Sequence, residues 1–384
     1  MRVDVVVVGA GIVGAACALE CAEAGLSVAV VDRGSVASGT TGAGEGNLLV
    51  SDKLPGPELD LALLSNELWR QVADRLDRDI ELEAKGGLVV APDAATLARL
   101  RALARDQAGS GVAVVDVPAD RLADHEPHLR AGLAGGTLYP QDMQLQPMLA
   151  TAALLAAARR LGATVLPHTA VTGIRRDGDG AVAAVVTTAG ELSASNVVNA
   201  AGTWSGQVAA MAGSDVPVLP RRGFILVTAA APVLVWHKVY NAGYVADVAS
   251  GDGALQSSAV IEGTRSGTIL VGATREIVGF DRELSFSALR RLAAQAVDLF
   301  PVLAALPVLR SYSGFRPYTP DHLPAIGPDP AVPGLHHACG HEGAGIGLAT
   351  GTARLVADAL LGRTPPVDPA PFSIGRFAPV PVVA

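Results

Sequence analysis

Three glycines and an aspartate near the start of the chain have the types and spacing of a nucleotide-binding motif. Gly9, Gly11 and Gly14 follow a run of valines, and Asp32 ends the next apolar run. In this pattern the glycines permit a tight turn, close approach of a pyrophosphate and close packing of the next helix, whose N-terminus attracts phosphate. The aspartate accepts hydrogen bonds from ribose hydroxyls. The stretch predicts dinucleotide binding, and a glycine-rich turn in an ordinary α/β sheet is the alternative.

A second glycine-rich loop, residues 340–347, lies between a predicted strand at 335–338 and a predicted helix at 348–360. A loop that leads into a helix N-terminus again suits the polar edge of a ligand. Two ionisable residues in this loop, His341 and Glu342, act either as an acid and a base or as polar contacts to a cofactor.

Small residues mark two further places where a ligand can approach the backbone. Ala200, Ala201 and Gly202 end a predicted strand just before Trp204, and ligands of open α/β sheets bind at such strand ends. Residues 38–47 are also mostly small or polar. They form either a close contact to a flat ligand or a flexible surface loop.

Histidines and a cysteine cluster just before and within the second glycine loop. They are His336, His337, Cys339 and His341. Because alternate residues of a strand point to opposite faces, we expect these side chains to be scattered and we expect no metal site.

Length and composition restrict the class of protein. The chain has 384 residues, which predicts two domains. Half of the residues are hydrophobic and 17% are charged, which is typical of a globular protein with large buried sheets. A net charge of −8 without a lysine- or arginine-rich run argues against nucleic-acid binding. We expect no transmembrane segment, and because the three cysteines form no disulfide framework we expect a cytoplasmic protein.

Taken together, four stretches resemble the D-amino-acid oxidase and glycine/sarcosine oxidase superfamily of FAD enzymes, over nearly the whole chain. The four are the first glycine loop with Asp32, residues 198–205, residues 314–321 and the loop at 340–347. Residues 43–47 and 237–247 are similar to flavin subunits of heteromeric dehydrogenases that act on D-hydroxyproline, on opines or, in cyanogenic enzymes, on glycine.

The order of the predicted elements, with this resemblance, indicates an α/β fold. A Rossmann-like FAD-binding domain carries an inserted α+β substrate domain built on an antiparallel sheet. We assign residues 1–55, 140–215 and 310–365 to the FAD-binding domain, residues 56–139 and 216–309 to the substrate domain, and residues 366–384 to a loose tail. Within the substrate domain, a hairpin is predicted at residues 82–91.

The resemblance implies a noncovalent FAD, because relatives that attach the flavin use a cysteine near the position of Thr319 and this chain has none there. It implies that the first glycine loop holds the ADP half, that Thr40 and Thr41 lie near the pyrophosphate, and that the backbone at Val171 meets the adenine. The late glycine loop is implied to line the isoalloxazine. The full set of implied FAD-binding residues is Gly9, Gly11, Ile12, Val13, Gly14, Asp32, Arg33, Thr40, Thr41, Glu45, Gly46, Asn47, Val171, Ala201, Gly202, Trp204, Gly340, His341, Glu342, Gly343, Gly345 and Ile346.

An arginine and two tyrosines are candidates for contact with the substrate. Arg316 matches the arginine that pairs with the substrate carboxylate in the family, and the alternative is a surface arginine paired with Asp321. Some relatives have a second arginine where this chain has Gly343. Tyr240 and Tyr244 are either substrate contacts or residues of the core or of a subunit interface.

The implied activity is FAD-dependent oxidation of the Cα–N bond of a small amino or imino acid, with a hydride passing to flavin N5. Substrates of the D-amino acid, D-hydroxyproline, glycine and sarcosine types all fit. Positioning matters more in such a reaction than acid–base side chains. Glu45 is a further catalytic candidate, and it either faces the flavin or caps a turn.

The expected partners are a small amino or imino acid and the other subunits of a heteromeric dehydrogenase. Three alternatives stay open. One is an NAD-dependent dehydrogenase, which leaves the late glycine loop unexplained. Another is an FAD dehydrogenase of a non-amine substrate such as a glycerol phosphate, which calls for more basic residues. The third is a flavin-carrying scaffold subunit of a heteromeric complex.

Overall fold

The computed structural model describes residues 1–244 and 253–377. In chain order, the described strands are β1 (Arg2–Val8), β2 (Val28–Val31), β3 (Asn47–Leu48), β4 (Gly87–Ala91), β5 (Val115–Pro118), β6 (Gly135–Tyr139), β7 (Met143–Gln144), β8 (Thr164–Leu166), β9 (Val171–Arg176), β10 (Val182–Thr187), β11 (Gly190–Asn199), β12 (Leu219–Thr228), β13 (Lys238–Asn241), β14 (Gln256–Gly263), β15 (Ile269–Arg275), β16 (Val308–Tyr318), β17 (Ala325–Pro328) and β18 (Leu335–Cys339). The described α-helices are α1 (Ile12–Glu23), α2 (Pro57–Ala73), α3 (Ala94–Gly109), α4 (Leu122–His125), α5 (Pro147–Arg160), α6 (Ser205–Met211), α7 (Phe286–Leu299) and α8 (Ala349–Leu361). In these two ranges, no helix has both the length and the apolar character needed to cross a membrane.

The first sheet is built around β1. Its strand order is β17-β18-β11-β1-β2-β8, and β10 and β9 continue beside β11. β1 runs parallel to β2 and β11, which is why its valines from Val5 to Val7 are fully buried: both faces of such a sheet are covered. Helices α1, α5 and α8 pack together over one face.

Small side chains let α1 pack closely in this core. Cys17 and Cys21 lie one turn apart on the helix and are both fully buried. Burial raises the pKa of the Cys21 thiol to about 12 and raises that of Cys17 as well. Both cysteines are therefore unreactive thiols that fill space.

The second sheet is antiparallel apart from the β13–β4 pair, with the order β16-β12-β15-β14-β13-β4-β6-β5. Side chains alternate across it, as along β12, where Phe224 and Leu226 belong to the apolar core beneath α7. Gly223 and Ile225 of the same strand face the other way, into a cavity. The sheet therefore presents one packed face and one face available to a ligand.

The predicted α/β fold is confirmed: the first sheet has a parallel centre from β18 to β8, and the second sheet is mainly antiparallel. The hairpin predicted at residues 82–91 is wrong, because β4 pairs with β6 and β13 and not with a neighbouring segment. The division into domains stays a prediction. Since β16 (Val308–Tyr318) crosses the boundary predicted at residue 310, we propose that this boundary lies after Tyr318.

Candidate active site

A cavity of about 390 Å³ lies where the carboxyl ends of the parallel strands meet the open face of the second sheet. Val8 and Val31 mark the strand ends in its wall, and Gly223 and Ile225 mark the sheet. Open α/β sheets bind ligands at this end of their strands. Most residues predicted to bind FAD line the cavity, namely Gly9, Gly11, Ile12, Val13, Asp32, Arg33, Thr40, Thr41, Glu45, Asn47, Val171, Ala201, Gly202, Trp204, His341, Glu342, Gly343, Gly345 and Ile346.

The first glycine loop forms a backbone cradle in this wall. Gly9 has a φ of 116°, in the region that favours glycine. A Cβ on Gly9 would lie 2.3 Å from the carbonyl oxygen of Ala200, and one on Gly14 would lie 2.0 Å from the carbonyl oxygen of Gly9. Side chains are therefore excluded at both positions. Gly14 does not line the cavity itself, and it allows α1 to approach β1.

Asp32 is fixed at the end of β2 by two backbone groups. Its carboxylate accepts hydrogen bonds from the N–H groups of Ala10 and Gly34, both at 2.7 Å. An ionised carboxylate has about four acceptor sites, so acceptor capacity is left for hydroxyl groups of a ligand in the cavity.

Flat side chains form another part of the wall. The guanidinium carbon of Arg33 lies 4.1 Å from the ring centroid of Trp204. The ring of Phe280 stacks on Trp204, with ring centroids 5.5 Å apart and an angle of 10° between the ring planes. Phe280 also makes an edge contact with Phe315, so the three rings form one aromatic cluster, of which Trp204 and Phe315 line the cavity.

The late glycine loop brings His341 to the cavity as a neutral group. Its Nε2 lies 2.9 Å from the hydroxyl oxygen of Thr352, and burial lowers the pKa of the ring to about 3. Gly340, which precedes it, has a φ of 76° and lies behind the wall, where a Cβ would be 2.6 Å from Cγ2 of Thr319. The neutral imidazole argues against a proton-donating role for His341 at neutral pH.

Glu342, the next residue of the loop, is a carboxylate whose negative charge is already paired. Nη1 of Arg221 donates to it at 2.5 Å, and Nδ1 of His322 lies 2.9 Å from its other oxygen. Burial acts to raise the pKa of Glu342, but the hydrogen bond from His322 and the charge of Arg221 outweigh it and the pKa is lowered. The carboxylate is therefore ionised and already engaged, which disfavours the acid–base interpretation of this pair.

Arg316 extends from β16 into the cavity. Its Nη1 donates to the carbonyl oxygen of Thr274 at 2.8 Å. Burial and the nearby charge of Arg275 lower the pKa of Arg316 to about 10, so the guanidinium stays protonated at neutral pH. Asp321, the partner considered for a surface arginine, instead pairs with Arg376 at 2.6 Å. Arg316 is thus available to an anionic ligand.

Glu45 reaches the same cavity from the segment after the second strand. Its side chain is 7% exposed and its carboxyl group lies against the backbone of Gly272, where a Cβ would be 2.7 Å away. One oxygen accepts a long hydrogen bond of 3.3 Å from Nδ2 of Asn47. Burial is the main cause of a raised pKa for Glu45.

The sequence that forms this site, with its two glycine loops, matches a known family model. That model is described as FAD dependent oxidoreductase, of the DAO family, and covers residues 4–359. The chain belongs to this family. It is an FAD-dependent oxidoreductase, so the NAD-dependent alternative is wrong.

Two relatives align with this chain over almost its whole length. The chain is 33% identical to glycine oxidase of Geobacillus kaustophilus, with 98% of this chain and 97% of that protein aligned. It is 29% identical to hydrogen cyanide synthase subunit HcnC of Pseudomonas aeruginosa, over the same shares of both chains. The crystal structure of the Geobacillus kaustophilus glycine oxidase superposes with a TM-score of 0.89, over 98% of this chain and 99% of that one.

The structure places the two predicted tyrosines away from the large cavity. The hydroxyl of Tyr240 is fully buried and donates to Oγ of Ser51 at 2.6 Å, which favours the alternative that Tyr240 is a core residue. Tyr244 packs on Tyr240, with ring centroids 4.9 Å apart, and borders a separate cavity of about 20 Å³ beside Gly343. The rest of the stretch that suggested the subgroup, residues 245–247, lies outside the described residues.

Gly46 is another predicted cofactor residue that does not line the cavity. A Cβ there would lie 1.8 Å from the carbonyl oxygen of Leu145, so the glycine serves close packing of two chain segments. Among residues 1–244 and 253–377, no group of three or more histidine, cysteine, aspartate or glutamate side chains is arranged to hold a metal ion.

Apart from the stretch at 314–321, the sequence analysis named no residue of the second sheet that lines the cavity. Gly223 and Ile225 of β12 line it, as does Arg282, whose guanidinium carbon lies 5.5 Å from the ring centroid of Phe315. A glycine inside a strand is a signal of close backbone approach, and Gly223 carried that signal. A Cβ on Gly223 would lie 2.1 Å from Nη1 of Arg316.

Proposed function

We propose that this chain oxidises the Cα–N bond of a small amino or imino acid whose carboxylate is bound by Arg316. The observation that carries the proposal is the position of Arg316: it lies in the cavity, and Asp321, its supposed partner, pairs with Arg376. A planar guanidinium binds both oxygens of a carboxylate and so fixes the orientation of the α-carbon. The names of the relatives, glycine oxidase and hydrogen cyanide synthase subunit, agree with such a substrate.

The residues around the cavity fit an FAD. We propose that the first glycine loop and the N-terminus of α1 hold its pyrophosphate, that Asp32 binds a ribose, and that the late glycine loop borders the flavin ring. The fit rests on the glycine cradle in the cavity wall, where Gly9 leaves no room for a side chain, and on the acceptor capacity that Asp32 has left. When bound, FAD supplies the acceptor for the two electrons and the hydrogen that leave the substrate.

The chain itself supplies orientation and a protected cavity. Arg316 holds the carboxylate. Three neighbouring strands each have a glycine at the sheet surface, which leaves room for the side chains of Arg316, Glu45 and Ala43 and for a small ligand; these are Gly223, Gly272 and Gly314. The neutral His341 adds no charge at the wall. We propose that a phosphate ester is disfavoured, because two carboxylates, Glu45 and Glu342, line the same cavity.

Substitution of Arg316 tests the proposal. Arg316→Ala should lower kcat/KM for the best amino acid substrate more than tenfold, since an unpaired buried carboxylate costs about 2 kcal/mol or more. Arg316→Lys keeps the charge but loses the planar pair of donors, so an intermediate loss is expected. FAD content should not change in either variant. Arg354→Lys, at an arginine paired with Glu20 outside the cavity, is the control.

Two outcomes are informative. The amide of the substrate should react poorly with wild type and with Arg316→Ala alike, because it has no carboxylate to bind. Wild-type kcat/KM for an acid substrate in Arg316→Ala would refute the carboxylate anchor and, with it, the amino acid proposal.

We further propose that the chain passes electrons on within a heteromeric dehydrogenase. The support is the resemblance of residues 43–47 to such subunits and the name of the relative HcnC, a synthase subunit. The test is to add substrate to the isolated chain and to follow flavin reduction and oxygen consumption together. Reduction with little oxygen consumption is expected, whereas rapid oxygen consumption would identify an oxidase that needs no partner.

A further inference from the structure

The carboxyl group of Glu45 is unusual because it is buried at the substrate cavity without a committed partner. Within the described part of the chain, Oε1 has no hydrogen-bond partner and Oε2 has only the 3.3 Å contact from Asn47. No described backbone N–H donates to this carboxyl group, so it does not cap a turn. A polar group left unsatisfied in a cavity is poised for a ligand.

The charges around Glu45 are largely committed elsewhere. Behind it, the ammonium of Lys238 is hydrogen-bonded to Glu262, and both side chains are buried. The remaining groups that act on Glu45 are Arg316 and Tyr312, both on β16. Arg316 is the group that binds the carboxylate in the proposed function. Among residues 1–244 and 253–377, Glu45 makes no ion pair, and it faces the cavity on the same side as Arg316.

Glu45 and Arg316 approach the same patch of the second sheet. The carboxyl of Glu45 rests on Gly272 of β15, and the guanidinium of Arg316 rests on Gly223 of β12. These strands are neighbours, and their register, with Leu226 opposite Val271, places the two glycines close along the sheet. An amino acid has its nitrogen one carbon away from its carboxylate, so a substrate held by Arg316 presents its nitrogen to this patch.

We propose that Glu45 is the residue that binds the substrate ammonium and accepts its proton. The inference rests on the proposed function of Arg316 and adds the second anchor. In the step, an N–H bond of the ammonium breaks, an O–H bond forms on the Glu45 carboxylate, and the nitrogen keeps the electron pair. That lone pair is what the α-carbon needs when its hydrogen leaves.

The surroundings of Glu45 suit such a transfer. Burial and the neighbouring Glu262 both raise its pKa, while Lys238 and Arg316 oppose them. A carboxylate whose pKa is raised accepts a proton from an amine more readily than an exposed one. Both groups lose their charge in the transfer, which a buried site favours.

The first experiment measures binding without turnover. 2-Aminoisobutyrate carries an ammonium and a carboxylate but no α-hydrogen, and isobutyrate is the matched acid without the amine. Their dissociation constants are measured by the change in flavin absorption of the FAD-loaded protein. Glu45→Gln should raise the dissociation constant of 2-aminoisobutyrate at least tenfold and should change that of isobutyrate less than twofold. Glu58→Gln, at a half-buried carboxyl with a raised pKa that does not line the cavity, should change neither.

The second experiment is the pH profile of anaerobic flavin reduction by the best amino acid substrate. Glu45→Gln should be at least tenfold slower at pH 7 and should recover toward the wild-type rate as the pH approaches the pKa of the substrate amine. A role in packing alone would leave the variant slow at every pH. Glu45→Asp should keep part of the pH 7 rate.

The outcomes separate this inference from the proposed function. If wild type is reduced by an amino acid and depends on Arg316, but Glu45→Gln keeps the wild-type affinity for 2-aminoisobutyrate and the wild-type pH profile, the role of Glu45 is refuted alone. If Glu45→Gln weakens the binding of isobutyrate as much as that of 2-aminoisobutyrate, the residue only shapes the cavity. The proton-acceptor role is then also refuted. If no amino acid reduces wild type, the proposed function fails first.

Discussion

Gly223 offers a sharp test of how the substrate anchor is built, because Arg316 lies directly over it. A Cβ at position 223 would lie 2.1 Å from Nη1 of Arg316 and 2.5 Å from the carbonyl oxygen of Thr274. The carbonyl belongs to β15 and cannot easily withdraw. In Gly223→Ala the guanidinium must therefore move by about 1 Å and give up its 2.8 Å hydrogen bond to Thr274.

A displacement of about 1 Å in a positioning group costs on the order of 100-fold in rate. We expect kcat/KM of Gly223→Ala to fall by that factor, about 2.7 kcal/mol of transition-state stabilisation. The assay is anaerobic stopped-flow reduction of the flavin, with isobutyrate binding as a measure of the anchor alone. FAD content should stay at the wild-type level, since the atoms nearest to the added Cβ belong to Arg316 and Thr274 and not to the glycine loops.

Two controls make the result decisive. In Gly173→Ala, also on a strand, the added Cβ meets nothing closer than 3.9 Å, and activity should be unchanged. In an Arg316→Ala background, Gly223→Ala should cause a smaller further loss than in wild type, because the guanidinium that it displaces is gone and only the contact with the Thr274 carbonyl remains. Wild-type substrate kinetics in Gly223→Ala would show that Arg316 is not placed as described, and an additive loss in the double variant would show that Gly223 acts by another route.

Three further predictions concern the cofactor and stability. Asp32→Ala should weaken FAD binding by about 1.5–3 kcal/mol in a fluorescence titration, with unchanged substrate preference at saturating FAD; unchanged affinity would exclude the ribose contact. Acid precipitation should release all flavin from the protein, and a yellow pellet would indicate a covalent bond. In the buried pair of His337 and Asp329, 3.0 Å apart, the pKa of His337 is raised to about 9 and that of Asp329 is lowered to about 2. The pair stabilises fully from about pH 4 to about pH 6.5, so Asp329→Asn should lower the free energy of unfolding by about 3 kcal/mol at pH 6 and by less at pH 9.5; an equal loss at both values would contradict the charged pair.

The nucleotide-binding half could be predicted from the sequence because its signals are local. The valine run, the glycine loop and Asp32 lie close together in the chain, and the role of each residue type in the motif follows from its own structure. Helix α2, Pro57–Ala73, is encoded in the same local way, by the apolar periodicity of its residues. In contrast, β4 pairs with strands far away in the chain, and no local pattern encodes that pairing.

The sequence predicts the site residues that belong to the four stretches shared with the family. Arg316 was identified from its motif and lies in the cavity, but Gly223 and Gly272 were missed because only the strand register brings them beneath Arg316 and Glu45. Tyr240 was assigned by residue type alone. Its hydroxyl is committed to Ser51, and such a contact between residues 189 positions apart is not visible in sequence.

The central claim is that the chain removes hydrogen from the Cα–N unit of an amino or imino acid. Anaerobic titration of the FAD-loaded protein tests it most directly, with glycine, sarcosine, a D-amino acid and D-hydroxyproline beside glycolate and glycerol 3-phosphate. The claim predicts that at least one of the nitrogen compounds bleaches the oxidised flavin stoichiometrically, faster as the pH rises toward its amine pKa, and that the two compounds without nitrogen do not. Bleaching by glycolate or glycerol 3-phosphate with none from the amino and imino acids would contradict it.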